Sequence, residues 1–507
     1  MRRYWRAETG VFLGLWLVLM VVGRGALLRD PGTFWHTVTG QWMLDNCRVI
    51  DADPFSFTRT GHAWVAYQWL AECGMATVYR LLGWDGLLLL TATILAGTYT
   101  WVAGRLLRAR FHLLWIGGLL ALVLLGSSHQ FHVRPLILTI GLFGLTFALL
   151  LDIDSGRRKL RLLWLFVPLS TLWANLHGGV LAAIGTVGLC VGWWCIAWAI
   201  GRESPVRSFR TAVEMIVLVT AACLAVCVGP YGVGLPMAWL NTLSIPLPQL
   251  IEEHGRLDLH DPLGWTTILL GIGYIVALLG LFPKRPRPTW MLPLVWFVLA
   301  CLRVRNIPLF DVAAAIALAE VLPQTRWAAW LEQREVLLPA AQMPSGRGGF
   351  RAAVLPVVLV AAVLSVQIAG ISAPVVGRGW AKFDPSVCPV ELLPELKTLD
   401  GETPGGTPIF NDLSLGGFLI YHTPGLRVFI DDRCALYGAD FLQRYDAARR
   451  NDPTQLDRWQ QQYDFRHALV ETGTQFDRHL EESAAWTMVR RTPVATLYER
   501  HVDQGES

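Results

Sequence analysis

Asp30 stands where the first apolar run of the chain ends, between Arg29 and Pro31, and is followed closely by Phe34, Trp35 and His36. A carboxylate at a membrane exit is well sited to accept a proton from a substrate. The same connection carries His36, Asp51, Asp53, Gln68 and Glu72. Later connections add His132 and Arg134, then Asn175 and His177, then Glu252, Glu253 and His254, and finally Arg303, Arg305 and Asn306. Ionisable groups in or beside membrane spans are costly and tend to be functional. Their common side describes a cavity open to one membrane face, with carboxylates and cations together.

Each of these residues also has a plainer reading. Trp35, Trp42, Trp64 and Trp69 fit an interfacial aromatic belt, Arg303 and Arg305 fit snorkelling anchors, and His177 fits a satisfied turn. Asp51-Ala-Asp53 has the spacing for a hard cation. Asp53-Pro54-Phe55-Ser56 reads equally as a turn capped by Asp53. The capping role is preferred, and a divalent metal stays open.

The elements that must position these groups follow from composition. Of 507 residues, 53% are hydrophobic and 16% charged, against about 25% charge in a soluble protein. Apolar runs fall near 10–28, 86–103, 112–125, 136–151, 162–173, 179–200, 211–228, 264–281, 291–301, 307–322 and 352–371. Crossing the hydrocarbon takes about 20 such residues. The expectation is a polytopic α-helical membrane protein of about eleven spans, which excludes a soluble enzyme, a disordered chain and a repeat solenoid. The first run is read as a retained span rather than a cleaved signal peptide, since no small-residue cleavage site follows it. Residues 62–82 are interrupted by Gln68, Glu72 and Arg80 and suit an amphipathic helix lying in the interface.

Basic clusters set the orientation. Arg2, Arg3 and Arg6 precede the first run. Arg105/Arg108/Arg110, Arg157/Arg158/Lys159/Arg161, Arg202/Arg207/Arg210, Lys284/Arg285/Arg287 and Arg326/Arg334/Arg347/Arg351 then fall in alternate connections. The expected N-terminus is therefore cytoplasmic, in the cytoplasmic membrane, and the polar groups named above face outward.

After Ser372 the chain holds 14 basic and 20 acidic residues, against 29 and 19 before it. This shift divides a membrane domain, 1–372 with a large first outer loop at 29–85, from an extracytoplasmic α/β domain, 373–507. Helices are expected at 389–399, 440–450 and 453–463, and strands at 408–410, 417–421, 426–430, 468–470 and 494–498. Asp431-Asp432-Arg433 ends one strand, as a substrate contact or an ion pair at a turn. Cys47 with Cys73, and Cys388 with Cys434, are candidate disulfides on the oxidising side. Cys190, Cys195, Cys223, Cys227 and Cys301 read as apolar fillers. P-loop, dinucleotide, zincin and serine-elbow motifs are missing from the sequence.

The run Asp30-Pro-Gly-Thr-Phe-Trp35-His36, with Asp53-Pro-Phe-Ser-Phe-Thr58 and Gln68-Trp69-Leu-Ala-Glu72, resembles the first outer loop of a large group of bacterial multi-pass proteins. Their loop reads Asp-Pro-Asp-x-Trp-Trp-His, then Asp-Pro-Phe-Ser-x-Thr, then Glu-Trp-Leu. Arg134-Pro135, Trp173-Ala-Asn175-Leu-His177-Gly-Gly179, Gly229-Pro-Tyr-Gly232, Arg303-Val-Arg305-Asn306, Gly416-Gly417 and Val428-Phe-Ile-Asp431-Asp-Arg433 extend the likeness. Gly32 replaces the second Asp of the group's pattern, and Gln68 replaces a Glu. The group is similar to the GT-C superfamily of membrane glycosyltransferases, with the protein O-mannosyltransferases and aminoarabinose transferases.

That resemblance implies a polyprenyl-phosphate sugar as donor and a glycan, lipid or protein as acceptor, with no nucleic acid involved. Asp30 matches the acidic residue that acts there as base or metal ligand. The implied phosphate contacts are Arg134, Arg303 and Arg305, whose guanidiniums match phosphate oxygens. Asn175 and His177 would meet phosphate or sugar hydroxyls, and Trp35 or Trp64 would stack on the ring. His36, Asp53, Gln68, Glu72 and Asn306 complete the substrate-binding set. Two other classes stand beside this one. A secondary transporter would show inverted repeats and midplane ions; a non-catalytic glycan-binding or assembly protein would tolerate the missing carboxylates.

Overall fold

The described apolar runs are helical over most of their length, because an apolar run in lipid must satisfy its backbone within itself. The computed structural model describes residues 6–109, 113–243, 245, 254–333, 349–400 and 406–501. Arg2, Arg3, Arg110, Glu252, Glu253, Arg334 and Arg347 lie outside them. In chain order the helices are α1 (Ala7–Ala26), α2 (Pro31–Asn46), α3 (Trp69–Arg108), α4 (Leu113–Ser127), α5 (Leu136–Asp154), α6 (Phe166–Leu176) and α7 (Val180–Ala199). They continue with α8 (Phe209–Ala225), α9 (Gly234–Leu243), α10 (Pro262–Leu279), α11 (Pro288–Leu302), α12 (Ile307–Val321), α13 (Arg326–Gln333) and α14 (Gly349–Ile368). Six of them, α1, α3, α5, α7, α10 and α12 with its flanking turns, are long and apolar enough to cross a membrane. Leu17, Val18 and Val22 on α1, and Leu269, Ile272 and Val276 on α10, are exposed, as a lipid-facing surface requires. The chain is a polytopic helical membrane protein.

Helix α12 runs through the middle of the bundle, with Val312–Ala317 fully buried against α3, α4, α5, α10 and α11. At one end, Arg105 of α3 and Arg157 both donate to Asp152 of α5, at 2.9 and 2.7 Å, and Arg157 also pairs with Glu320 of α12. The polar cavity lies at the opposite end. Residues 62–82 are helical only from Trp69, and Gly83, at φ 64°, breaks this stretch from the apolar length that follows.

After α14 come α15 (Leu393–Leu399), β1 (Thr407–Asn411), α16 (Gly416–His422), β2 (Leu426–Val428), α17 (Cys434–Tyr437), α18 (Ala439–Arg450) and α19 (Gln455–Tyr463). The chain then forms β3 (His467–Glu471), α20 (Gln475–Glu482), β4 (Trp486–Arg491) and β5 (Ala495–Arg500). The strands make one sheet in the order β2-β1-β3-β5-β4, parallel on the β2-β1-β3 side and antiparallel beyond. The first long connection joins this sheet: Ser56 bridges Val428, and Val428 N donates to Phe55 O at 3.2 Å.

Three expectations are corrected here. Residues 417–421 form helix α16, not a strand. Phe418, Leu419 and Ile420 are buried, and packing against α2 outweighs their β propensity. Gly417 allows this approach, since a Cβ there would collide with the carbonyl oxygen of Pro31. None of the nine cysteines forms a disulfide; Cys388 and Cys434 sit in separate aromatic cores, and Cys47 is exposed at the end of α2. The aromatic belt is likewise partly a core: Trp35 and Trp64 are buried with Phe34, whose ring meets Trp84, Phe383 and Phe418 at 5.0–5.9 Å.

Candidate active site

Asp30 is the N-cap of α2, followed by Pro31 at the first helical position, a favourable start for a helix. Its Oδ1 accepts from Gly32 N at 2.7 Å and its Oδ2 from Arg134 Nη1 at 2.9 Å. Arg134 is brought there by the turn before α5, which is fastened to the exit of α1: Val133 N donates to Leu27 O at 2.8 Å and Thr33 Oγ1 to Val133 O at 3.1 Å. A third charged group comes from far along the chain. Asp432 accepts from Trp35 Nε1 through Oδ1 at 2.6 Å. Burial first, and then the charge of Asp30, push its carboxyl up to about 7, with Arg134 acting in the opposite direction.

Asp30, Arg134 and Asp432 form one wall of a cavity of about 1100 Å³. Across it, the turn before α12 contributes Arg303, Arg305 and Asn306. Arg305 Nη1 donates to His254 Nε2 at 2.6 Å. The segment before α7 contributes His177, whose Nδ1 accepts from Gly179 N at 2.9 Å and contacts Thr139 Oγ1 at 2.9 Å; the proton is thereby assigned to Nε2. Gln68 lines the same space. Among the described residues, five arginines and five carboxylates line it. An anion placed there would meet individual guanidinium forks rather than a single-sign field.

Four residues expected at the substrate do not line this cavity, because each is held by an internal partner. His36 Nδ1 meets Glu72 Oε1 at 2.8 Å, with both side chains buried. Burial, with Arg134 and His177 adding to it, holds the His36 ring well below the usual imidazole range, so the ring is neutral. Asp53 accepts from Phe55 N and Ser56 N, both at 3.1 Å, and from Arg433 Nη1 at 2.7 Å. Asn175 accepts from Trp69 Nε1 at 2.7 Å and donates to Thr171 O and Val228 O. The Asp431-Asp432-Arg433 run divides the two roles offered for it. Asp431 pairs with Arg433 at 2.7–2.8 Å away from the cavity, and Asp432 faces it.

Among the described residues, the donors around Asp30 do not assemble into a divalent-metal set. Both oxygens of Asp30 are engaged, and a cation beside them would lie against the Arg134 guanidinium. Asp53 is likewise occupied by its cap and by Arg433. Among the described residues, no three His, Cys, Asp or Glu side chains come together as a metal set.

No family model and no curated protein matches the chain. Among solved structures, the oligosaccharyltransferase of Archaeoglobus fulgidus aligns over 92% of this chain and 69% of its own, with a TM-score of 0.52 at 12% identity. The same protein tethered to an acceptor peptide aligns with the same TM-score at 11% identity. The fold is GT-C-like. ArnT from Cupriavidus metallidurans, solved with undecaprenyl phosphate, aligns over 96% of this chain and 97% of its own at 14% identity, with a TM-score of 0.44.

In this GT-C-like fold, several cavity residues escape sequence reasoning. Arg256, Asp258 and Asp261 precede α10, and Arg449 and Glu471 reach in from α18 and β3, paired at 2.8 Å. No local signal marks them. Asp432 had one, an acidic pair at a strand end combined with a glycine at position 32.

Proposed function

We propose that the chain is a membrane glycosyltransferase that moves a sugar from a polyprenyl-phosphate carrier to an acceptor outside the cytoplasm. The observation that carries this reading is the single cavity shared by Asp30 and the guanidiniums of Arg134, Arg303 and Arg305. The acceptor hydroxyl attacks the anomeric carbon and gives its proton to Asp30. A bond forms from the acceptor oxygen to that carbon, while the bond from carbon to phosphate oxygen breaks. The electron pair leaves on the lipid phosphate, whose charge the arginines offset. Gln68, His177 and Asn306 serve the sugar and phosphate oxygens.

The reading includes a topology. Eleven spans, a cytoplasmic N-terminus in the cytoplasmic membrane and an extracytoplasmic unit at 373–507 account for the basic connections and for the polar cavity at the other end. Incubating the purified full-length protein with labelled polyprenyl-phosphate sugars tests the reaction, with released lipid phosphate as the readout. A transporter or a glycan-binding protein would leave the donor intact.

A further inference from the structure

Gly32 is the position where the chain lacks the second acid of the loop it resembles, and the structure shows what fills that space. A Cβ on Gly32 would lie 2.7 Å from Asp30 Oδ1, 3.2 Å from Arg134 Nε and 3.2 Å from Asp432 Oδ2. A carboxylate from 400 positions later in the chain thus reaches the spot where a side chain at 32 would begin. Trp35, five residues after Asp30, holds it there through Oδ1. Among the described residues, Oδ2 accepts no hydrogen bond and faces the cavity, whereas both oxygens of Asp30 are already engaged.

We propose that Asp432 is the second acid–base group of this site, taking on the proton that Asp30 removes from the acceptor hydroxyl. This inference rests on the transferase reading above. The proton passes from the acceptor oxygen to Asp30 and then to Asp432, and is released to water after the lipid phosphate has left. No charge is created at either carboxylate beyond the one the proton neutralises. Two carboxylates in one site cannot both ionise freely. The charged groups facing Asp432 are Asp30, from the cap of α2, Arg134, from the turn before α5, and its neighbour Asp431, itself tied to Arg433. Burial and the two acids favour the neutral form, and Arg134 opposes them. Asp432 must be ionised to receive the proton, so turnover should rise with pH through neutrality.

Two measurements on the full-length protein test this. Donor consumption by the wild-type chain should climb between about pH 6 and pH 8, and D432N should flatten that limb and reduce turnover at least about tenfold. Infrared difference spectra without substrate should show a carboxyl titrating near neutrality that is lost in D432N and moved to lower pH in D30N. D432N with the wild-type pH profile, or spectra without that titration, would overturn the relay. A wild-type chain that consumes no labelled donor defeats the transferase reading itself, and the infrared titration then reports on the carboxyl pair alone.

Discussion

The guanidinium of Arg433 and the carboxylate of Asp53 meet at 2.7 Å with almost no solvent exposure, joining segments 380 positions apart. Arg433 also holds Asp431 through two hydrogen bonds and lies over the rings of Trp64 and Phe55, at 4.5 and 5.0 Å. This contact fastens the first long connection to the sheet. Removing the cation from between two buried acids costs about 3–5 kcal/mol. R433A should therefore lower the thermal unfolding midpoint of the detergent-solubilised protein sharply. R433K should recover little, because an ammonium cannot reproduce the paired fork. An unchanged midpoint in R433A would show that the contact carries no stability.

Asp30 caps α2 and, in the proposed reaction, also accepts a proton. Asn is as good a cap as Asp. D30N should keep insertion and folding while lowering donor turnover about 100-fold or more. Retained turnover in a folded D30N eliminates the proposed base.

Arg305 tests the arginine wall. Its fork reaches His254 and the cavity together, and R305K keeps the charge but loses that geometry. The KM for a polyprenyl-phosphate sugar should rise about tenfold, a loss of about 1.4 kcal/mol in binding, with the unfolding midpoint unmoved. If Arg305 only supports His254, the midpoint will fall and KM will stay where it was.

Asp412 provides a pH test outside the cavity. It accepts from Tyr445 OH at 2.7 Å and from Glu471 N at 2.8 Å. Burial and the nearby Glu471 push it up from 3.8 to about 6. A raised carboxyl favours the folded state while protonated. Its contribution is complete below about pH 4 and lost as pH rises through about 6. The stability of the wild type relative to D412N should therefore fall by on the order of 2–3 kcal/mol across that window. A flat difference from pH 4 to pH 7, measured by thermal unfolding, would contradict it.

The helices were legible because their signal is local. An apolar run such as Val180–Ala199 announces itself whatever it touches, and so does the basic cluster that follows it. The residues around the cavity were legible in part, as polar groups at the ends of those runs. Sequence could not tell a side chain that faces the cavity from one bound inside the protein. Asp53 and Asn175 look as exposed in sequence as Asp30 and His177, but Arg433 and Trp69 occupy them. Those partners are 380 and 106 positions away. Asp432 was illegible as a neighbour of Asp30 for the same reason. The strand expected at 417–421 failed because a short apolar run carries no periodicity with which to resist its surroundings.

Gly417 rests on Pro31, and Pro31 adjoins Asp30, so the segment after residue 406 supplies part of the cavity lining and two of its acids, Asp432 and Glu471. A truncated 1–372 fragment, or a chimera given a foreign tail, would lose those acids and the surface that seats the first connection. In the proposed reaction, the site spans both the helical portion and the segment after residue 406.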